Sequence, residues 1–561
     1  MSHADIAAIL NQVEALLAQA GPLPAEAELA LEKLLNVVEA LSSDNKELAD
    51  EVKRLEERLE QKKKGKTTAG GQDDDQGGVA SGLGTDHSSE GRRRKRERKQ
   101  RRVRDRRSFK DLKIHKTTEC PVDPGSLPPD AVRMPDEIVV VQDMEITPKN
   151  TAFQRQVFYS PSQNAYYRGP LPAGCDRGDF GANLRALIIA LKYCGNMSEP
   201  KIGEFLENFD VQVSSGSISN ILTNSSAGFE QDYHEILLAG LSTTAYQQTD
   251  DTSARVNGQF WHTHILCNPF YTLYSTRPHK DRLAVLGVLQ NTEELRFRFG
   301  QETLEFLERE FPAVPAKWRQ RLAALGEAVY SAAELKALLE DWFGEGNQQL
   351  RTAIEHASAI VFYRRQDSVP VVGTLVCDDA GQFKLLTDKL ALCWIHEGRH
   401  YEKLSPLVPR HATVLESFRE RFWDYYASLQ DHRAGPTESR ASELRREFDE
   451  LFSTQTGYDA LDERIEKTLG KREELLTVLS EPAVPLHNNA SELGARVSAR
   501  RRDVSLHSRS ERGARAMDVF TTLVQTSKKL GVSAYAYLRD RLSGTLGPAA
   551  LSQAILQAQH P

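Results

Sequence analysis

The sequence predicts a multidomain α/β protein in which helices interrupt and follow a central sheet. Three observations carry that prediction. Residues 244–277 hold three strand-like runs in succession, at 246–249, 259–267 and 270–276. A fourth strand-like run, 374–377, ends on Asp378-Asp379, and most of the intervening and following sequence has helical periodicity. At 561 residues the chain is also too long for one ordinary core.

Composition narrows the function classes. Charged residues make up 27% of the chain, mean hydropathy is −0.49, and no apolar run approaches the ~20 residues of a membrane span. Met1-Ser-His-Ala-Asp has neither a basic nor an apolar leader region. Six cysteines (120, 175, 194, 267, 377, 393) form no CxxC pair, which is poor for a disulfide framework or a zinc ribbon. A cytoplasmic protein with no membrane partner is expected. The net charge of −7 is segregated: residues 92–107 carry twelve Arg or Lys against Glu97 and Asp105, a net +10. Such a block draws phosphates in a salt-sensitive, sequence-blind way. A solvated or targeting segment is its other reading.

Six segments follow along the chain. Residues 1–62 read as helices. Leu34, Val38, Leu41, Asn45, Leu48, Val52, Leu55 and Leu59 step alternately by four and three, a heptad seam. β-Branched residues and one Asn at a, with Leu at d, predict a parallel two-stranded coiled coil and so a homodimer; packing on the chain's own body is the alternative. Residues 63–117 read as a disordered linker with the basic block, in which Arg92, Arg93, Arg94, Lys95 and Arg96 are DNA-binding candidates. Residues 118–175 read as a small β-module with runs at 138–141 and 156–159.

Residues 176–240 hold three short helices. Ser198 is placed to cap the second and Ser214 to open the third, a helix-turn-helix pattern; generic helix packing gives the same signal. Residues 241–508 contain the strands, with a long helical stretch at 281–356, a further strand expected at 359–362 and an apolar run at 390–394. Residues 509–561 read as a helical tail.

Three acidic segments stand out: Thr249-Asp250-Asp251-Thr252, Cys377-Asp378-Asp379-Ala380 and Asn488-Asn489-Ala490-Ser491-Glu492. Asp, Asp and Glu on two strands and a helix are what a protein needs to hold a Mg²⁺ pair for phosphodiester chemistry. Neighbouring side chains on a strand point to opposite faces, so one Asp of each pair enters such a site. The strand pattern with these acids describes a ribonuclease H-like catalytic core with helical insertions.

These segments resemble the insertion sequence sixty-six family of bacterial DDE transposases. Thr249-Asp250-Asp251-Thr252-Ser253-Ala254-Arg255-Val256 is similar to that family's Ala-Asp-Glu-Thr-Pro-x-Arg-Val stretch. Leu375-Val376-Cys377-Asp378 with Ala380-Gly381 resembles its second acid-bearing strand. Cys393-Trp394-Ile395-His396-Glu397-Gly398-Arg399 resembles its Cys-Trp-Ala-His-x-Arg-Arg run, and Asn488-Asn489-Ala490-Ser491-Glu492 its Asn-Asn-x-x-Glu motif. The tail 529–538 reads like the family's ending, and the zipper and helix-turn-helix sit where the family carries them.

The resemblance implies an enzyme that cleaves and joins the ends of an insertion element. Its catalytic and metal-binding residues would be Asp250, Asp378 and Glu492, with Mg²⁺ as cofactor or Mn²⁺ in its place. Its partners would be double-stranded DNA (terminal repeats and target) and companion proteins of the same element, in a nucleoid-associated setting. His396, Arg399, Arg496, Arg500 and Arg501 become DNA-binding candidates; for His396 packing on Trp394, and for the arginines a solvated face, are the alternatives. Departures from the family are visible. The 128 residues from Asp250 to Asp378 are more than usual, and Cys120 alone stands where a zinc cluster is expected, so no zinc is predicted. His487 replaces a common acid, and Leu493 an Arg. The rival reading is a catalytically inactive or divergent dimeric DNA-binding protein derived from a transposase.

Overall fold

A computed structural model of the protein describes residues 3–20, 23–64, 113–172 and 180–559. Two helices open it, α1 (His3–Ala20) and α2 (Ala25–Lys64). Leu10 of α1, Leu35 of α2 and Val408 are buried together, with Ile6, Leu31 and Val38 against them. Polar groups fix the same contact. Glu39 accepts the N–H groups of Leu407 and Val408 at 2.6 Å each and meets Nδ1 of His411 at 2.8 Å. Asn36 donates to the Gly457 carbonyl and accepts from the Asp459 N–H. Val38, placed in the zipper seam by its spacing, is therefore taken up within the chain. Leu34, Leu41, Leu48, Val52 and Leu55 of that seam stay exposed.

The expected β-module reduces to one hairpin, β1 (Val157–Ser160) paired with β2 (Ala165–Arg168). The run Ile138-Val139-Val140-Val141, expected as a strand, pairs with nothing among the described residues. Its Ile138, Val139 and Val141 stand exposed. β-Branched composition without a partner strand or a core to cover makes no ladder. The basic block with Arg92, Arg93, Arg94, Lys95 and Arg96 lies outside the described residues, as does Cys175.

Helices α3 (Ala182–Tyr193), α4 (Glu199–Glu207), α5 (Ser215–Asn224) and α6 (Glu230–Thr243) come next. Both expected caps form: the hydroxyls of Ser198 and Ser214 accept the N–H groups of Lys201 and Ser217, satisfying helix-start donors. Strands β3 (Tyr246–Val256), β4 (Gln259–Cys267) and β5 (Thr272–Arg277) form an antiparallel meander. The β3–β4 turn is Asn257-Gly258, with φ of 49° and 77°, the left-handed pair that suits a two-residue hairpin. Strand β3 runs through its acidic residues instead of ending at them, so Asp250 lies opposite Ile265 and Asp251 opposite His264.

The long insertion holds α7 (Arg282–Gln290), β6 (Arg296–Phe299), α8 (Gln301–Glu310), α9 (Ala316–Ala323), β7 (Ala328–Ser331), α10 (Ala332–Phe343) and α11 (Gln348–Arg365). Strands β6 and β7 pair antiparallel, a small sheet that helical periodicity concealed. Residues 359–362, expected as a strand, belong to α11. Ala359, Ile360 and Val361 are buried there, and a short apolar run has the same signature in a buried helix as in a buried strand. Strands β8 (Thr374–Cys377) and β9 (Lys389–Leu392) then add in parallel, giving the order β5-β4-β3-β8-β9.

Helices complete the chain: α12 (Trp394–Glu402), α13 (Pro409–Ala434), α14 (Glu438–Leu451), α15 (Asp459–Leu469), α16 (Arg472–Leu475), α17 (Thr477–Ser480), α18 (Asn489–Val504), α19 (Glu511–Lys529), α20 (Ala534–Leu542) and α21 (Ala550–Ala558). The segment read as a tail closes the sheet edge. Thr526, Thr522 and Asp518, four apart on one face of α19, accept the N–H groups of Thr272, Tyr274 and Thr276, two apart on β5. Four helical residues rise about 6 Å and two strand residues about 6.7 Å, so the periods match and the edge is covered. Leu266, Tyr271 and Leu375 of the sheet region share one apolar core with α3, α6 and α19. No helix of the described residues is long and apolar enough to cross a membrane.

Candidate active site

Asp250 lies in the middle of β3, and Asp378 follows the last residue of β8. Gln248 is registered on Val376 in the parallel β3–β8 pair, so two residues on Asp250 and Asp378 come level on neighbouring strands. Helix α18 crosses β3 and β4. Its approach is close because position 494 is Gly: a Cβ there would lie 2.8 Å from Cγ2 of Ile265. The Ser491 hydroxyl donates to the Thr249 carbonyl at 3.2 Å and the Tyr274 hydroxyl to the Gly494 carbonyl at 3.1 Å. These bonds set the first turn of α18, with Glu492, over the acid-bearing part of β3.

Asp250 feels the charges of the other two side chains. Burial pushes the Asp250 carboxyl up to about 7, against an N–H bond from Asp251, and the charges of Asp378, Glu492 and Asp251 push it the same way. The two doublets divide alike, Asp250-Asp251 within β3 and Asp378-Asp379 in the loop just after β8. Asp251 accepts from Nε2 of Gln382 at 2.8 Å, and Asp379 is paired with Lys384 at 2.8 Å and Lys471 at 2.6 Å. Asp250 and Asp378 instead accept backbone N–H groups, from Asp251 at 2.8 Å and Ala380 at 3.1 Å.

Glu492 is held from α12. Trp394 drives the start of that helix into an aromatic cluster with Phe422, Tyr425, Phe448 and Phe452, its Nε1 donating to the Leu475 carbonyl at 2.9 Å. His396 and Arg399, one turn apart, then face α18. Nδ1 of His396 is 3.6 Å and the Arg399 guanidinium 3.5 Å from the Glu492 carboxylate, and Arg399 also reaches Nε2 of His396 at 3.0 Å. His396 thus packs on neither Trp394 nor open surface. Burial holds it below the ordinary imidazole range although Glu492 pulls the other way. Glu397, on the opposite face of α12, is buried with Arg464, Thr468 and Lys471. Lys471 joins it to Asp379 and ties the strand end to the helix behind it.

The arginines after Glu492 separate by helical phase. Arg496 and Arg500 follow it at four-residue steps, on its own face of α18; Arg500 is exposed and Arg496 half-buried. Arg501 is not available to DNA. It is 6% exposed, stacks over the Tyr193 ring at 4.9 Å, and donates to the Tyr193 carbonyl and the Thr521 hydroxyl. Arg502 reaches back to the Thr252 hydroxyl at 3.1 Å and to the Ser253 carbonyl on β3. Sequence reasoning missed Lys471, Glu397 and Cys393. Only the Cys-Trp-x-His spacing hinted that the start of α12 belongs to the site.

The profile of the Transposase IS66 family matches residues 353–516, which span the end of α11, β8, β9, α12 and all of α18. A protein of Sinorhizobium fredii described as "Uncharacterized protein y4jO" is 31% identical over 323 residues, covering 55% of this chain and 94% of that relative. The matched segment carries Asp378, His396, Arg399 and Glu492 on the elements that converge beside Asp250, and the chain belongs to the IS66 family of transposases.

Proposed function

We propose that the chain is a DDE-type DNA transposase that cleaves an insertion element from flanking DNA and joins its ends to a target. The observation that carries this reading is the approach of Asp378 and Glu492 to Asp250 from three separate elements. The order β5-β4-β3-β8-β9, antiparallel in its first half and parallel in its second, supports a ribonuclease H-like core. The donors are all carboxylate oxygens, which suits Mg²⁺ or Mn²⁺ over softer ions. The proton affinity of Asp250 comes first from burial and then from the negative charges of Asp378, Glu492 and Asp251, which divalent cations would offset. Asp250, Asp378 and Glu492 would hold them, and the bound pair supplies activation of the attacking oxygen and neutralisation of the leaving one.

The chain's own residues do the rest. Backbone N–H bonds fix the Asp250 and Asp378 carboxylates, and His396 and Arg399 orient Glu492. Arg496 and Arg500 face the same way as Glu492 and are placed to meet DNA phosphates. Helices α4 and α5 supply a helix-turn-helix whose Ser215, Asn220 and Asn224 are exposed for groove contact. The basic block adds affinity, and the exposed leucines of α2 join two copies. Double-stranded DNA, a second copy and companion proteins of the element are the partners, in a nucleoid-associated setting.

The test uses the purified full chain and duplexes ending in its own terminal repeats, in Mg²⁺. Asp250→Asn, Asp378→Asn and Glu492→Gln should each lose cleavage by about 100-fold or more while still binding the duplex. Wild-type-like cleavage by Asp250→Asn sinks the reading. A second reading, a divergent dimeric DNA-binding protein without chemistry, is favoured by Leu493, half-exposed where the resemblance implies Arg. It predicts binding but no cleavage by the unmodified chain.

A further inference from the structure

Cys393, His396 and Glu492 each offer a ligand atom, and the three atoms lie within 4.8 Å of one another. This is a different set from the all-oxygen trio, sharing only Glu492 with it. Cys393 ends the β9 segment and caps α12, where its sulfur faces the backbone N–H groups of Ile395, His396 and Asn488. Burial outweighs these N–H groups and pushes the thiol up to about 12, so a directly bound cation is what would draw its proton off. A second observation points to a missing partner in the same place. Nδ1 of His396 is buried and makes no hydrogen bond, although Glu492 is 3.6 Å away. Asn488 is fully buried with its side-chain amide against the His396 ring, and neither its amide oxygen nor its amide nitrogen makes a well-formed hydrogen bond. Buried polar groups are rarely left so, and an orphaned cluster calls for a ligand.

We propose that Cys393, His396 and Glu492, with the Asn488 amide oxygen as fourth donor, form a site for a thiophilic divalent ion of the Zn²⁺ class. Sulfur, nitrogen and carboxylate oxygen in a compact set suit a tetrahedral, borderline-soft ion and disfavour Mg²⁺. On binding, the Cys393 S–H bond breaks, a sulfur–metal bond forms and the proton leaves to solvent. His396 coordinates through Nδ1 as its Nε2–H tautomer: the ring proton moves from Nδ1 to Nε2, and the Arg399 guanidinium, which donates to Nε2, gives up that bond. Filling this site takes Glu492 from the Mg²⁺ pair, so the ion inhibits. The inhibitory consequence, though not the binding, rests on the reading of Glu492 as catalytic.

The experiment titrates metal-free full-length protein with Co²⁺ in excess Mg²⁺, following the thiolate-to-cobalt charge-transfer band. The band should appear, be bleached by Zn²⁺, persist in Cys377→Ala, and be absent from Cys393→Ala and His396→Ala proteins whose circular dichroism is unchanged. No band in the unmodified chain, or a band retained by Cys393→Ala, overturns the site. In a parallel arm, Zn²⁺ is titrated into Mg²⁺-supported cleavage, each protein scaled to its own activity. Cys393→Ala should need at least about tenfold more Zn²⁺ for half-inhibition, the loss of one zinc ligand's affinity. Equal sensitivity overturns the inhibitory role. Cobalt binding without cleavage by the unmodified chain would refute the transposase reading and the inhibition while supporting the site. Cleavage without cobalt binding would support the transposase reading and overturn the site together with its inhibition.

Discussion

Loading the carboxylate trio with Mg²⁺ should expel a proton, and the pH range follows from Asp250. Its carboxyl titrates at about 7 because burial, then the Asp378 and Glu492 charges, disfavour the ionised form. A solvated aspartate titrates near 3.9. A cation needs the ionised form, so binding must displace whatever proton is present. The metal-free protein carries that proton in about nine molecules of ten at pH 6, half at pH 7 and one in ten at pH 8. Mg²⁺ affinity should therefore rise about tenfold from pH 6 to the plateau above pH 8, worth about 1.4 kcal/mol. The sign is fixed: a raised carboxyl pKa stabilises the metal-free fold below the unfolded value, and that contribution is lost as pH rises through 7.

Isothermal titration of Mg²⁺ in two buffers of different ionisation enthalpy counts the released protons directly. Asp250→Asn keeps the shape and removes the charge. It should abolish the pH dependence and stabilise the metal-free protein at pH 8 by about 1–3 kcal/mol, as replacements at strained functional sites do. Affinity that is flat between pH 6 and 8, with no proton released at the lower value, would refute the account of Asp250.

Three further outcomes are expected. Arg501→Ala should cost about 2–4 kcal/mol in denaturant unfolding, since it empties a buried, hydrogen-bonded place against Tyr193 and Thr521, while DNA affinity per folded molecule is unchanged; Arg500→Ala should do the opposite. Gly494→Ala should destabilise by about 1–3 kcal/mol and depress cleavage further than stability explains, because the added methyl meets Ile265 and lifts Glu492 from β3. Leu41→Asp with Leu48→Asp should leave the fold intact, both side chains being exposed, yet give a monomer in sedimentation equilibrium. A mass unchanged by that pair removes α2 as the dimer contact.

How much of this was legible in sequence depended on whether the determining contact was local. The Ser198 and Ser214 caps were readable because a cap is decided within four residues. The strand runs and the order of Asp250, Asp378 and Glu492 were readable too, and parallel register did the rest. The strand expected at 359–362 failed because three buried apolar residues in succession, followed by Phe362, have no periodicity to report. Ile138-Val139-Val140-Val141 failed because composition cannot supply a neighbour. Arg500 and Arg501 looked equivalent in sequence, but one residue of helical rotation sends the second into the core. His396 was assigned to DNA or Trp394 because Glu492, its actual neighbour, reaches it only through the packing of α18 on the sheet.

The remaining question is how the chain tolerates three carboxylates in one place, since like charges at short range are costly in a half-buried setting. The structure divides the charge three ways. Asp250 keeps its proton up to neutral pH. Glu492 is met by the Arg399 cation and by His396. The spare acids Asp251 and Asp379 are drawn off by Gln382 and by Lys384 and Lys471. Each device is reversible: the Asp250 proton leaves as pH rises, and the partly exposed Arg399 guanidinium has room to turn away from Glu492. Arg399 is therefore the group whose removal should separate folding from loading. Arg399→Ala should destabilise the metal-free protein by about 1 kcal/mol, with the loss shrinking as Mg²⁺ takes over the neutralisation of Glu492. A destabilisation that is the same with and without Mg²⁺ would mean that Arg399 only packs, and that Glu492 never exchanges one cation for another.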